Sequence, residues 1–192
     1  RFCLLIGDIV ETEVTIPDGV DVSIDDRKIS AKGPKGTLEK DFDDPRFNSF
    51  INMEKHHGKL IVKTESDKRK IISMVGTIAA HARNMITGVT VGYKYVLKIV
   101  YKHFPITVSI EKDRVHVKNF LGEKGSRVAR IIGDVKIDIS KEAIIITGHN
   151  VESVSQTAAN IEKACKVRGR DIRIFQDGIY MESRQLASGE IL

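Results

Sequence analysis

The chain has 192 residues, 41% of them hydrophobic and 30% charged, with a formal net charge of +5. This length admits two domains of about 85 to 90 residues, each with a modest core, and no run of ~20 apolar residues is present to span a membrane. The two cysteines, Cys3 and Cys165, lie in different halves without metal-ligand spacing around either, so they read as reduced thiols of an intracellular protein.

The opening RFCLLIGDIV is too short and too soon interrupted by acids for a signal peptide, and the initial Arg suggests that the natural start is missing. At Val20, Val22 and Ile24 the pattern alternates with period two, which predicts a strand with one face inward. Asp25-Asp26 is the polar turn that folds it back onto Ile29 to Ala31, and Gly33-Pro34-Lys35-Gly36 ends the hairpin. The carboxylates of Asp18 to Asp26 are explained by this turn without any chemistry. His56-His57-Gly58 suggests a metal pair, but no third ligand is placed nearby and a hairpin turn before Lys59 to Lys63 accounts for it better.

A helix follows. Ile71, Ile72, Val75, Ile78, Ala79, Ala82 and Met85 recur at three and four, which makes one apolar face. Ser66 is positioned to cap its start and Gly88 its end, while Lys68, Arg69, Lys70 and Arg83 mark its solvated side.

The same order then repeats. Val20 to Gly36 reads VDVSIDDRKISAKGPKG, and 86 positions later Ile106 to Gly122 reads ITVSIEKDRVHVKNFLG. Val20, Val22, Ile24 and Ile29 fall on Ile106, Val108, Ile110 and Val115, and Ser23, Lys32 and Gly36 recur as Ser109, Lys118 and Gly122. Lys112-Asp113 is the second turn candidate. Ala143 to Thr147 (AIIIT) repeats Lys59 to Lys63 at a separation of about 84, and a second helical stripe of Val154, Ala158, Ile161 and Cys165 runs from Asn150 toward Gly169. A sheet with one buried face needs a cover, and one amphipathic helix per copy supplies it. The expected fold class is therefore α+β, with two tandem duplicated domains, each an antiparallel or mixed β-sheet packed against one helix. The expected division is 1–88, 89–175 and a C-terminal tail at 176–192.

Charge separates the copies. Residues 1–88 carry 14 Lys/Arg and 14 Asp/Glu, whereas 89–192 carry 17 and 12, so the whole excess lies in the second half. Ten basic residues face four acids between Lys94 and Lys136, and Lys163, Lys166, Arg168, Arg170 and Arg173 cluster after the second helix. Such charge on its own is explained by a solvated surface. Here it is one-sided, interleaved with Tyr93, Tyr95, Tyr101, His103 and Phe104, and joined to glycine turns where a backbone can approach phosphates. Together these features favour a nucleic-acid partner. Tyr95, Tyr101 and Phe104 serve equally well as packing residues, and His103-Phe104-Pro105 reads as a structural corner.

Leu121 to Ile131 (LGEKGSRVARI) contains the G-x-x-G spacing that clamps nucleic-acid backbones in KH domains, so a KH-like RNA-binding regulator is the alternative reading. A KH domain needs a helix just before G-x-x-G, and Val115 and Val117 alternate there as a strand does. The expected local structure is a loop over Gly122 to Arg130, with a short helical or turn segment, after a strand. No P-loop, no G-x-G-x-x-G after a strand, no H-E-x-x-H and no nucleophile with an evident base occurs, so enzymatic function has no motif to stand on.

GVTVGYKYVLKIVYKHFPI (Gly88 to Ile106), VKNFLGEK (Val117 to Lys124), KGPKGTL (Lys32 to Leu38) and RDIRIFQDGIY (Arg170 to Tyr180) resemble the universal large-subunit ribosomal protein L-six family, called L-nine in eukaryotes. The similarity runs from about Val14 to Tyr180, includes the duplication, and is weaker over the first ten residues and Asp43 to His57. The ending resembles the eukaryotic rather than the bacterial branch. The resemblance implies a structural constituent of the large ribosomal subunit in the cytoplasm, bound to ribosomal RNA near the sarcin-ricin region and stalk base, with ribosomal proteins as neighbours. It implies no cofactor, no metal, no membrane and no small-molecule substrate. It carries the RNA-binding role to Lys94, Lys98, Lys118, Asn119, Gly122, Lys124, Arg127 and Arg130, and to Lys166, Arg168, Arg170 and Arg173.

Overall fold

A computed structural model describes residues 4–6 and 9–191, and the chain divides into two compact units after Thr90. Cys3 lies outside the described residues. In the first unit, strands β1 (Leu4–Ile6), β2 (Ile9–Thr15), β3 (Asp21–Asp25), β4 (Lys28–Gly33), β5 (Gly36–Asp41), β6 (Ile51–His56) and β7 (Lys59–Thr64) precede helix α1 (Arg69–Thr90). They form an antiparallel four-stranded sheet of order β1-β2-β7-β6 and a three-stranded sheet β3-β4-β5. The second unit has β8 (Tyr93–Val100), β9 (Thr107–Glu111), β10 (Arg114–Lys118), β11 (Arg127–Arg130), β12 (Lys136–Ile139), β13 (Ala143–Gly148), α2 (Val151–Ala164) and β14 (Gly178–Leu186). Its four-stranded sheet has the order β14-β8-β13-β12 and its three-stranded sheet β9-β10-β11, again antiparallel. The duplication is thus a duplication of fold: β2, β7 and β6 play the parts of β8, β13 and β12.

Period-two alternation built these sheets. Tyr93, Tyr95, Leu97 and Ile99 of β8 are buried, as are Ile144 and Ile146 of β13, whereas the residues between them are at least partly open. The helices meet the sheets through equivalent positions. Ile71, Val75, Ile78 and Ala82 of α1 correspond to Val154, Ala158, Ile161 and Cys165 at the end of α2, and all eight are buried. Each large aliphatic side chain removed from water contributes about 1.5–3 kcal/mol, so this shared stripe is the main tie between each helix and its sheet.

Several boundaries differ from the sequence expectation. Helix α1 opens at Lys68, whose carbonyl accepts from Ile71 and Ile72, two residues after Ser66. It runs through Gly88, which is buried inside it, to Thr90. The stop falls at Gly92, with φ 76, because the last helical turn is packed against Gly33 and Lys35 and cannot unwind at Gly88. Asn150 does cap α2, accepting the Glu152 N–H at 2.9 Å, but that helix ends at Cys165 and not at Gly169. The first hairpin turns at Asp26-Arg27, one residue late, with Asp26 at φ 52, while Lys112-Asp113 turns where expected. His57-Gly58 is the tight turn joining β6 to β7, with both residues at positive φ. Gly178–Leu186, set in the sequence reading within a tail, lies along the whole of β8 as an edge strand.

Candidate nucleic-acid interface

The two repeats part company at one hairpin. In the first, Pro34-Lys35 closes β4 onto β5 with Gly33 opposite Gly36. A Cβ on Gly33 would stand 2.8 Å from the Val89 side chain and 2.9 Å from its carbonyl, so this turn is tight and pressed onto α1. In the second, β10 leads into Asn119 at φ 59, a single 3-10 turn over Phe120–Gly122 with Leu121 at φ 52, and four more residues before β11. The strand Arg127–Arg130 shortens the loop expected to run to Arg130. Strand β10 and a single 3-10 turn, not an α-helix, lead into Gly122-Glu123-Lys124-Gly125, so the KH arrangement is not formed here.

Phe120 and Leu121 are buried and anchor the longer connection, which leaves Gly122 to Ser126 exposed. Gly122 sits at φ 77, and a Cβ there would touch the Phe104 ring at 3.3 Å. The Asn119 amide donates to the Pro105 carbonyl at 3.1 Å. These contacts fix the 102–105 corner beside the glycine turn.

Arg127 occupies the centre of this region. Its Nε and Nη2 donate to the Glu123 carboxylate at 2.9 and 2.6 Å, and Nη1 donates to the carbonyls of Ala164 and Lys166 at 3.0 and 2.9 Å. The guanidinium carbon lies 4.2 Å from the centre of the Phe120 ring, a cation–π distance. The hydrogen bond from Arg127 holds the Glu123 carboxyl below its ordinary pKa, and the same bond raises that of Arg127. Cys165, buried beneath, is pushed up to about 12 by desolvation, against an opposing pull from Arg127.

Beyond α2 the chain crosses an exposed basic segment before β14. Arg170 lies 4.9 Å over Phe175 and near enough to Glu123 to lower its pKa further. His103 packs on the other contact of Phe175, ring centres 5.5 Å apart. The segment is closed by Asp177, which is fully buried. Its carboxylate accepts the Lys102 N–H at 3.1 Å and the His103 N–H at 3.5 Å, with the His103 ring also at 3.5 Å. A buried carboxylate needs such donors to offset its lost hydration.

Through Arg127 and Glu123 the fold joins the connection that carries Lys118, Asn119, Gly122 and Lys124 to the segment that carries Lys166, Arg168, Arg170 and Arg173. Lys118, Lys124, Lys166, Arg168, Arg170 and Arg173 are exposed there; Arg127 is the partly buried exception. Lys94 and Lys98 lie elsewhere, on the face of β8 that alternates with its buried residues, and Lys98 stands 3.8 Å from Glu182. Arg130 sits at the far end of β11 opposite Arg114, with its carbonyl held by Asn160 at 3.0 Å. Tyr95 is a core residue, whereas Tyr101 and Phe104 are 49% and 42% exposed. Sequence reasoning missed Lys102, Phe175 and Asp177, whose roles come from contacts about 75 residues apart; the string FQDGIY was visible, but no local pattern assigns it a partner.

The comparisons with known proteins agree with this duplication. The family model described as "Ribosomal protein L6" matches twice, over residues 16–92 and 104–178. The chain is similar to the large ribosomal subunit protein uL6 of Methanothrix thermoacetophila, 46% identical over 176 residues that cover 92% of this chain and 98% of the relative. It is also similar to the proteins of that name from Staphylothermus marinus and Desulfurococcus amylolyticus, each 50% identical, over 88% and 90% of this chain and 91% and 93% of the relatives. Two matched repeats that coincide with two repeated folds leave one reading: the chain belongs to the ribosomal protein L6 family.

Proposed function

We propose that this chain is a structural, non-catalytic constituent of the large ribosomal subunit in the cytoplasm, and that its second unit binds ribosomal RNA near the sarcin-ricin region and the stalk base, beside neighbouring ribosomal proteins. The relatives carry the name of the large subunit along nearly their whole length. The observation that supports the RNA contact most strongly is the meeting of two exposed basic segments, one carrying Lys118 and Lys124 and the other Lys166, Arg168, Arg170 and Arg173, at a lengthened glycine turn that is short and tight in the repeat without excess charge.

The chemistry follows from that arrangement. Exposed Lys and Arg neutralise phosphates and release counterions, and Gly122, Asn119 and their neighbours let the main chain come close to the RNA backbone. Lys94 and Lys98 on the open sheet face and Arg130 on the three-stranded sheet extend the positive surface away from this centre. Recognition is by backbone and shape, with little reading of bases.

Sedimentation of a cell lysate tests the reading. At ~0.1 M salt, where such phosphate contacts persist, the protein should run with the large subunit and leave no sizeable light pool; a mainly light protein would mark a regulator outside the ribosome. In titrations of the purified chain with deproteinised large-subunit RNA, ~4 to 6 phosphate contacts give a log–log salt slope of roughly 3 to 5. Replacing Lys124, Arg168 and Arg170 with Ala together should reduce that slope by roughly 2 to 3 and weaken different RNAs alike.

A further inference from the structure

Arg127 carries the charge expected of a phosphate ligand, yet most of its donors are already engaged. A guanidinium offers five N–H groups. Four of them go to the two Glu123 oxygens and to the carbonyls of Ala164 and Lys166, and one face of the guanidinium plane lies over the Phe120 ring. Its side chain is 23% exposed. A bidentate phosphate contact needs two parallel N–H groups from the fork, and only one remains.

The partners of Arg127 also have a shared meaning. Glu123 lies in the glycine turn, Phe120 in the 3-10 turn that anchors it, and the two carbonyls straddle the end of α2, where the exposed basic segment begins. Last-turn carbonyls of a helix have no partner within it, and a cation there also complements the helix dipole. One side chain thus ties two separate segments, 120–126 and 164–168, into a single geometry.

We infer that Arg127 is a positioning residue for the RNA surface: it clasps the glycine turn to the segment after α2 and does not itself contact phosphate. Lys124 on one side and Lys166, Arg168 and Arg170 on the other make the contacts. Holding them at a fixed separation before the RNA arrives lowers the ordering cost of binding. This inference rests on the RNA reading above. It reverses the sign expected for Glu123, an acid in the middle of a polyanion-binding surface. Were Arg127 a ligand, Glu123 would be a competitor and its removal would tighten binding; as half of the clasp, its removal weakens binding although the net charge rises.

The test uses the full chain and deproteinised large-subunit RNA, with Glu123→Gln, Arg127→Lys and Arg127→Ala compared by titration, and amide hydrogen exchange of the free proteins as a second readout. Glu123→Gln should weaken binding by several-fold, and Arg127→Ala by about tenfold, the scale of one lost charge-assisted hydrogen bond. Arg127→Lys should fail to rescue, because an ammonium cannot reproduce the fork. Glu123→Gln combined with Arg127→Ala should be no worse than Arg127→Ala alone. In the free variants, exchange should rise at 120–126 and 164–170 while the amides of β8 and β13 stay protected, which separates lost positioning from general unfolding. Unchanged or tighter binding by Glu123→Gln, wild-type affinity in Arg127→Lys, or unaltered exchange in those two segments would overturn the clasp. A wild-type chain with no salt-dependent affinity for the RNA overturns the RNA reading instead, and the exchange data then judge the clasp separately.

Discussion

Single residues in this protein owe their identity to close contacts more than to composition. Gly33 has no space for a methyl group against Val89, so Gly33→Ala should cost about 1–3 kcal/mol by overpacking, seen as a fall in the thermal midpoint. Cys165 is buried with its thiol pKa raised to about 12 from an ordinary 9.0. Its peptide should stay unalkylated by iodoacetamide at pH 8 in the folded protein and react once the protein is unfolded, which peptide mass spectrometry reads directly. The linkage has a definite sign. A folded pKa above the unfolded one means that the stabilisation tied to the neutral thiol is present below pH 9.0, and is lost as pH rises from 9.0 toward 12. Glu123 behaves oppositely: its lowered carboxyl favours the folded clasp above the unfolded pKa, and that contribution disappears as pH falls through the lowered value.

At the scale of elements, strand and helix identity was legible because burial imposes a period. Val22 and Ile29, Val115 and Val117, and the stripes of both helices all read from spacing alone, and the Asn150 cap is a local signal with a local partner. What stayed hidden depends on partners far along the chain. Gly88 has the look of a helix stop, but packing of the following turn against β4 and β5 carries α1 past it. Arg127 reads as free charge until the end of α2 and the residue after its cap place the carbonyls of Ala164 and Lys166 against it. The strand β14 has alternation too weak to reveal that it covers the edge of β8, in the place β1 takes beside β2. That strand is a structural part of the second unit. Ile179 at its start is 1% exposed, so Ile179→Ala should cost about 2–5 kcal/mol, measurable as a lower denaturant midpoint with an unchanged slope.

For the molecule as a whole, duplication and divergence explain each other. The same fold serves twice, with equivalent core positions filled by similar residues, while the charge excess and the lengthened, clasped hairpin appear only in the second copy. In the first unit many charges pair among themselves, as in Lys59 with Glu13 and Lys63 with Glu54; exposed pairs of this kind add little to stability, and they also leave little net field to attract a polyanion. The central claim is that RNA is held by the second unit at the end where the glycine turn meets the segment after α2. Ultraviolet cross-linking of the full chain to large-subunit RNA, with the attached peptides identified by mass spectrometry, tests it most directly. The account predicts cross-links concentrated in 118–126 and 166–173, with fewer at 94–98 and 130; cross-links concentrated in residues 20–70 of the first unit would contradict it.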